Sequence, residues 1–92
     1  MAVVVILKYS GDPSDIACGY AQEIEHPIVS EQPERQSHIF ALTDSGAVIV
    51  DVWRSREAME TMISDPEFIA NYEKAGLSAP TNVEVYELQN TL

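Results

Sequence analysis

The apolar positions of this 92-residue chain fall into short runs whose periods change along its length. Ala2 to Tyr9 is rich in β-branched residues and lacks internal glycine or proline, which predicts a strand. Val3, Val4, Val5, Ile6 and Leu7 are apolar in succession, so both faces of that strand are expected to be covered. Ser10-Gly11-Asp12-Pro13 then reads as a turn and a helix start, with Asp12 as cap and Pro13 in the first turn. The helix is predicted over 13–25. Ile16, Tyr20 and Ile24 lie on one face, joined by Ala17 and Ala21, and Gly19 weakens it. His26-Pro27 ends it, because a residue before proline avoids helical geometry. Residues 28–36 are polar, contain Pro33 and read as a loop.

Two strands follow, over 37–42 and 47–53, joined by a hairpin turn at Thr43-Asp44-Ser45-Gly46 in which Gly46 can supply positive φ. On the second of them Ile49, Asp51 and Trp53 point one way, and Val48, Val50 and Val52 the other. Ser55 caps a helical stretch over 56–75 with Met59, Met62, Ile63, Ile69 and Tyr72 at helical spacing. Ser64 and Glu67 have capping-box spacing and Pro66 suits an early helical position. This predicts a break near Asp65 and two helical pieces. Gly76 is the stop, Leu77 to Pro80 a loop, and 82–88 the last strand, with Val83 and Val85 on one face.

Strand, helix, strand, strand, helix, strand is the split βαβ pattern, so the expected fold class is α+β. The architecture is a ferredoxin-like βαββαβ domain over residues 1–92, with a four-stranded antiparallel sheet and helices on one face. Two helices cover only one sheet face, yet the first and third strands are apolar on both. A second copy stacked on the open face is the simplest cover, and a two-fold dimer the commonest arrangement.

Length and charge narrow the picture. A domain of this size buries only about two-thirds of its unfolded surface, which favours oligomerisation. Cys18 is the only cysteine, so no disulfide forms within the chain. The apolar start is short and lacks a basic flank, fitting a strand better than a signal peptide, and no run approaches the roughly 20 residues of a spanning helix. A cytoplasmic protein is expected. The net charge of −10, with scattered acids, argues against nucleic acid and anionic membranes as partners.

The segments AVIVDVWRS, REAMETMI and EKAGLSAP, with the closing VEVYELQN, resemble the dimeric α/β-barrel superfamily. Within it, the similarity is to antibiotic biosynthesis monooxygenase-like domains, through Val52-Trp53-Arg54-Ser55 and Val85-Tyr86-Glu87. It extends well over residues 37–90 and in outline over 2–25. The resemblance implies a homodimer and either cofactor-free oxygenation of phenols, haem degradation, isomerisation or a stress-related role. Haem degradation in such proteins goes with an asparagine on the first strand and a histidine on the second helix. This chain has neither, and keeps only the tryptophan, Trp53. The cofactor-free oxygenases require a pocket rather than a cofactor motif, so no cofactor is expected.

Candidate chemistry rests on few residues. His38 suits general base catalysis near neutrality, or is an edge-strand histidine. Asp51, a carboxylate in an apolar strand, is either a proton acceptor at a cavity floor or half of an ion pair with Lys8 or an arginine. Trp53 stacks on a planar ligand or fills the core. Tyr72, Met59 and Met62 line a pocket or pack beneath one. Tyr9, Tyr20 and Tyr86 carry further hydroxyls at the core edge; His26 is placed to cap a helix, and Cys18 is an inert small residue. No zinc-type spacing, phosphate loop or nucleophile elbow is present. Two readings stay open. One is a cofactor-independent monooxygenase-like protein holding a small apolar or aromatic molecule between sheet and helices. The other is a non-enzymatic dimeric ligand-binding or stress-related protein of the same fold.

Overall fold

A computed structural model describes residues 1–23, 33–77 and 79–90. Four strands form one antiparallel sheet: β1 (Val3–Ser10), β2 (Arg35–Thr43), β3 (Gly46–Trp53) and β4 (Asn82–Glu87). Their order across the sheet is β2-β3-β1-β4. Helix α1 (Pro13–Glu23) follows β1, while α2 (Arg56–Ile63) and α3 (Pro66–Lys74) lie between β3 and β4. This is the expected ferredoxin-like α+β fold.

The two central strands are those with continuous apolar runs. Val3, Val5, Leu7 and Tyr9 of β1, and Ala47, Ile49, Asp51 and Trp53 of β3, are buried on the same face. Their neighbours Val4, Ile6, Val48, Val50 and Val52 point to the opposite face and are half-buried. The buried face meets Ile16 and Tyr20 of α1, Met59 of α2, Tyr72 of α3 and Leu77.

Local signals set the helix ends. The Asp15 amide donates to the Asp12 carboxylate at 3.1 Å, so Asp12 caps α1. The Ala58 amide donates to the Ser55 hydroxyl at 3.1 Å and starts α2. The expected break falls at Ser64-Asp65, but Asp65, not Ser64, caps α3 by accepting from the Glu67 amide at 2.8 Å. Ser64 instead closes α2, its amide donating to the Glu60 carbonyl. Helix α3 ends with Gly76 at φ +88°, in the left-handed region that favours glycine. There the Leu77 amide reaches the Tyr72 carbonyl at 2.8 Å and the Gly76 amide the Glu73 carbonyl at 3.0 Å. Both orphan carbonyls are satisfied by this pair, a Schellman arrangement.

Two expectations need correction, and a third lies outside the described residues. Strand β2 begins at Arg35 rather than Ser37, with a bulge between them, so residues 35 and 36 leave the loop and enter the sheet. Residues 24–32, which include Ile24, His26 and most of the expected 28–36 loop, lie outside the described residues. Gly46 does not supply positive φ. It is required by proximity instead, since a Cβ there would stand 1.9 Å from the Tyr9 carbonyl oxygen across the β1–β3 pair.

Gly19 works in the same way. A Cβ at this position would lie 2.4 Å from the Ala75 carbonyl oxygen, so the glycine lets α1 approach the end of α3. Gly19→Ala gains about 1 kcal/mol of helix propensity, but the helices must separate, at a cost of about 1–3 kcal/mol. The expected net result is a lower midpoint in urea; a higher midpoint would show that the helices part without loss.

Candidate active site

The β2–β3 hairpin assembles the polar centre of the molecule. Its two-residue loop pairs Thr43 with Gly46, and five steps back along each strand His38 stands opposite Asp51. Both side chains face the helices. Asp51 is 2% exposed, the only buried charged residue among the described residues. Its Oδ1 lies 2.5 Å from His38 Nδ1, and its Oδ2 lies 3.9 Å from an Arg35 guanidinium nitrogen. Arg35 reaches this point because the bulge sets it opposite Trp53, over whose ring its guanidinium sits at 5.8 Å. Lys8 takes no part. It is exposed and stands opposite Val48, on the other sheet face.

The second imidazole nitrogen is also engaged. His38 Nε2 is hydrogen-bonded to the Tyr20 hydroxyl, which α1 carries down onto the sheet. Phe40, two residues along β2, stacks under the Tyr20 ring with centroids 3.8 Å apart and holds it in place. These partners assign the tautomer. Asp51 accepts only, so neutral His38 carries its proton on Nδ1 and Nε2 accepts from Tyr20. The result is a continuous chain, Tyr20–His38–Asp51–Arg35. The His38 side chain keeps 19% of its surface exposed, so one edge of the ring remains open.

A half-open apolar cavity of about 190 Å³ lies between β1, β4 and the helices α2 and α3. Leu7, Ile63, Ile69, Leu77, Pro80 and Val83 give it aliphatic walls. Phe68 and Tyr72, stacked with centroids 4.4 Å apart, and Tyr9 give it aromatic ones. The cavity is smaller than the roughly 300 Å³ at the low end of ligand sites.

Tyr9 and Tyr72 join the two features. Both line the cavity, and both hydroxyls feel Asp51. Burial, then the Asp51 charge, pushes the Tyr9 phenol up to about 12. The same two causes push the Tyr72 phenol higher still, partly offset by Arg35. Both therefore stay protonated near neutrality. The Tyr72 hydroxyl is buried and has no hydrogen-bond partner, an open donor in a molecule whose other buried side-chain polar atoms, among the described residues, are matched.

The sequence-derived candidates are thus distributed between two places. His38 and Asp51 meet in one hydrogen-bonded pair, and Tyr72 lines the cavity. Trp53, 1% exposed, and Met59, 3% exposed, pack in the core, with half-buried Met62 against it; none of the three lines the cavity. Tyr86 is exposed on β4 and donates to Glu84 at 2.8 Å. Cys18 is exposed on α1 rather than packed. Among the described residues no group of three or more His, Cys, Asp or Glu could hold a metal ion, and no helix is long and apolar enough to cross a membrane.

No protein family matches the chain by sequence, and no curated protein does. Solved structures share its fold over nearly its whole length. The Rv0793 protein of Mycobacterium tuberculosis superposes with a TM-score of 0.72 at 19% identity, covering 99% of this chain and 98% of its own. SnoaB, a cofactor-independent oxygenase from Streptomyces nogalater, gives 0.65 at 20% identity, covering 99% and 94%. The ActVA-Orf6 monooxygenase of Streptomyces coelicolor, solved with nanaomycin D bound, gives 0.66 at 17% identity, covering 99% and 89%. At these identities the likeness establishes the fold.

Proposed function

We propose that this chain, which has the ferredoxin-like fold of the antibiotic biosynthesis monooxygenase-like proteins, binds a small apolar or aromatic molecule between sheet and helices and oxidises it with dioxygen. The observation that carries this reading is the Tyr20–His38–Asp51–Arg35 chain, a half-buried proton-handling set whose Asp51 charge acts on two tyrosines, Tyr9 and Tyr72, of an apolar cavity.

The chemistry needs little from the protein. A phenol that becomes a quinone takes one oxygen atom from dioxygen, while the other leaves as water. The four electrons that reduce dioxygen come from the phenol itself. The protein's part is to bind the phenol, to exclude bulk water and to accept the phenolic proton, since the phenolate gives up electrons more readily. His38 is the acceptor. Asp51 holds the imidazole in the required tautomer and stabilises the imidazolium that forms. Tyr20 occupies Nε2, so a proton arrives either along the Tyr20 hydroxyl or after that hydroxyl turns aside.

Oxygen uptake with phenolic and quinol compounds tests the proposal. His38→Ala and Asp51→Asn should each lower turnover by roughly 10²–10⁴-fold, measured on protein whose circular dichroism shows it folded. Full activity in both variants removes these roles.

Two observations favour a second reading, a non-enzymatic dimeric ligand-binding or stress-related protein. The cavity is small for a ligand site, and both nitrogens of His38 are engaged by the protein itself. Binding of a ligand with no oxygen uptake over the same panel would select it.

A further inference from the structure

We infer that the cavity selects a neutral ligand with a single aromatic ring. This deepens the ligand-binding half of the proposal above and does not depend on oxidation taking place.

Size comes first. An apolar cavity of about 150 Å³ in a protein core takes benzene. The present one, about 190 Å³, has room for one ring with one or two short substituents. Three fused rings exceed that volume, so part of such a ligand would be left outside the walls, past Ile69 and Val83. Enlarging the space meets resistance, because β1 is a central strand, hydrogen-bonded to both β3 and β4, and α3 is pinned at its end by the Gly76 turn and against α1 at Gly19.

Wall chemistry comes second. Phe68 and Tyr72 present a stacked aromatic pair, and Tyr9 adds a third ring, so a planar π-system meets edges and faces of its own kind. No charged side chain among the described residues lines the space. No lysine or arginine therefore waits for a carboxylate or phenolate.

Electrostatics supports the same conclusion. The Asp51 charge disfavours a negative charge on the hydroxyl of Tyr9 and on that of Tyr72. An anionic ligand beside those rings would meet the same field in a site of low polarity, where its own desolvation is costly. A neutral phenol meets neither penalty.

The access side is identifiable. Ile69 is 41% exposed and Val83 49% exposed, and both line the cavity. A larger side chain at Ile69 can cover the space without entering the core.

The test uses four probes at pH 7, with affinities read from amide shifts of the lining residues in NMR titration. They are p-cresol, toluene, benzoate and anthrone, a neutral three-ring ketone. p-Cresol and toluene should bind and shift the amides of Leu7, Ile69 and Val83. Benzoate and anthrone should bind at least tenfold more weakly. Ile69→Trp should weaken p-cresol at least tenfold while the remaining spectrum stays that of the folded protein. Anthrone or benzoate binding as well as p-cresol overturns the inference, as does no binding of either neutral single ring. Unchanged p-cresol affinity in Ile69→Trp overturns it too, by placing the ligand elsewhere. If the selectivity holds but no probe or phenolic compound consumes oxygen, the oxygenase reading fails and this one stands.

Discussion

Asp51→Ala is expected to destabilise the protein by about 3–5 kcal/mol, the usual cost of removing one partner from a buried ionic group. For a domain of this size that lowers Tm by roughly 12–40 °C. The carboxylate is 3% exposed and faces both His38 and Arg35, whose side chain is only 7% exposed. Its loss removes one ionic partner of the guanidinium and the acceptor that holds His38 Nδ1. Asp51→Asn keeps an oxygen for Nδ1–H and should cost clearly less. Thermal unfolding followed by circular dichroism separates the two variants. A loss below about 1 kcal/mol for Asp51→Ala would mean that Arg35 and His38 turn out to water, and that the cluster contributes nothing to the fold. Such a group is weak evidence of stabilisation, since well-packed apolar residues often do as well. Its presence in an otherwise apolar layer is better accounted for by the proton chemistry proposed for it.

The fold was legible because its signals are local and repeated. Asp12, Ser55 and Gly76 mark helix ends where their side chains or backbone freedom are needed. The apolar runs of β1 and β3 mark the two central strands. Ser64 and Asp65 are both cap candidates because Ser64-x-x-Glu67 and Asp65-Pro66 overlap, and spacing alone does not say which residue leaves the helical region. The site was half legible. His38 and Asp51 were each singled out by type, but their contact follows from hairpin register. The two-residue loop at Asp44-Ser45 carried that information, since it fixes which residues of the two strands face one another. Arg35 was hidden by the bulge, which admits one extra residue and brings the guanidinium over Trp53. Tyr20 was visible only as a buried-face helix residue. Its contact with His38 depends on how α1 crosses the sheet, a tertiary property with no sequence period of its own. Conversely, Met59 and Met62 fit a pocket by spacing but pack against the core, and on α2 it is Ile63 that reaches the cavity, whose other helical walls come from α3.

The open sheet face leads to the other large effect. Opposite the helices, Val4, Ile6, Val48, Val50 and Val52 form a continuous apolar patch, extended by Ala41 and by Ile39, 55% exposed, and Tyr86, 53% exposed. A monomer rarely leaves such a patch in water. Its position on the two central strands suits a second sheet packed about 10 Å away, and a second copy brings an identical patch by two-fold symmetry. We therefore expect sedimentation at micromolar concentration to give twice the 10.2 kDa chain mass. Val50 stands at the centre, opposite Ile39 on β2 and Ile6 on β1. Val50→Glu places one carboxylate from each copy near the two-fold axis, where burial and like charge act together. Dissociation should strengthen at least 100-fold, about 2.7 kcal/mol, and the variant should sediment as a monomer. Since a lone chain of 92 residues has a marginal core, its unfolding midpoint should also fall and cease to depend on protein concentration. A wild-type protein that sediments as a monomer would refute the pairing. A Val50→Glu dimer of unchanged affinity would place the interface elsewhere, and the half-buried valines of β1 and β3 would then need another cover.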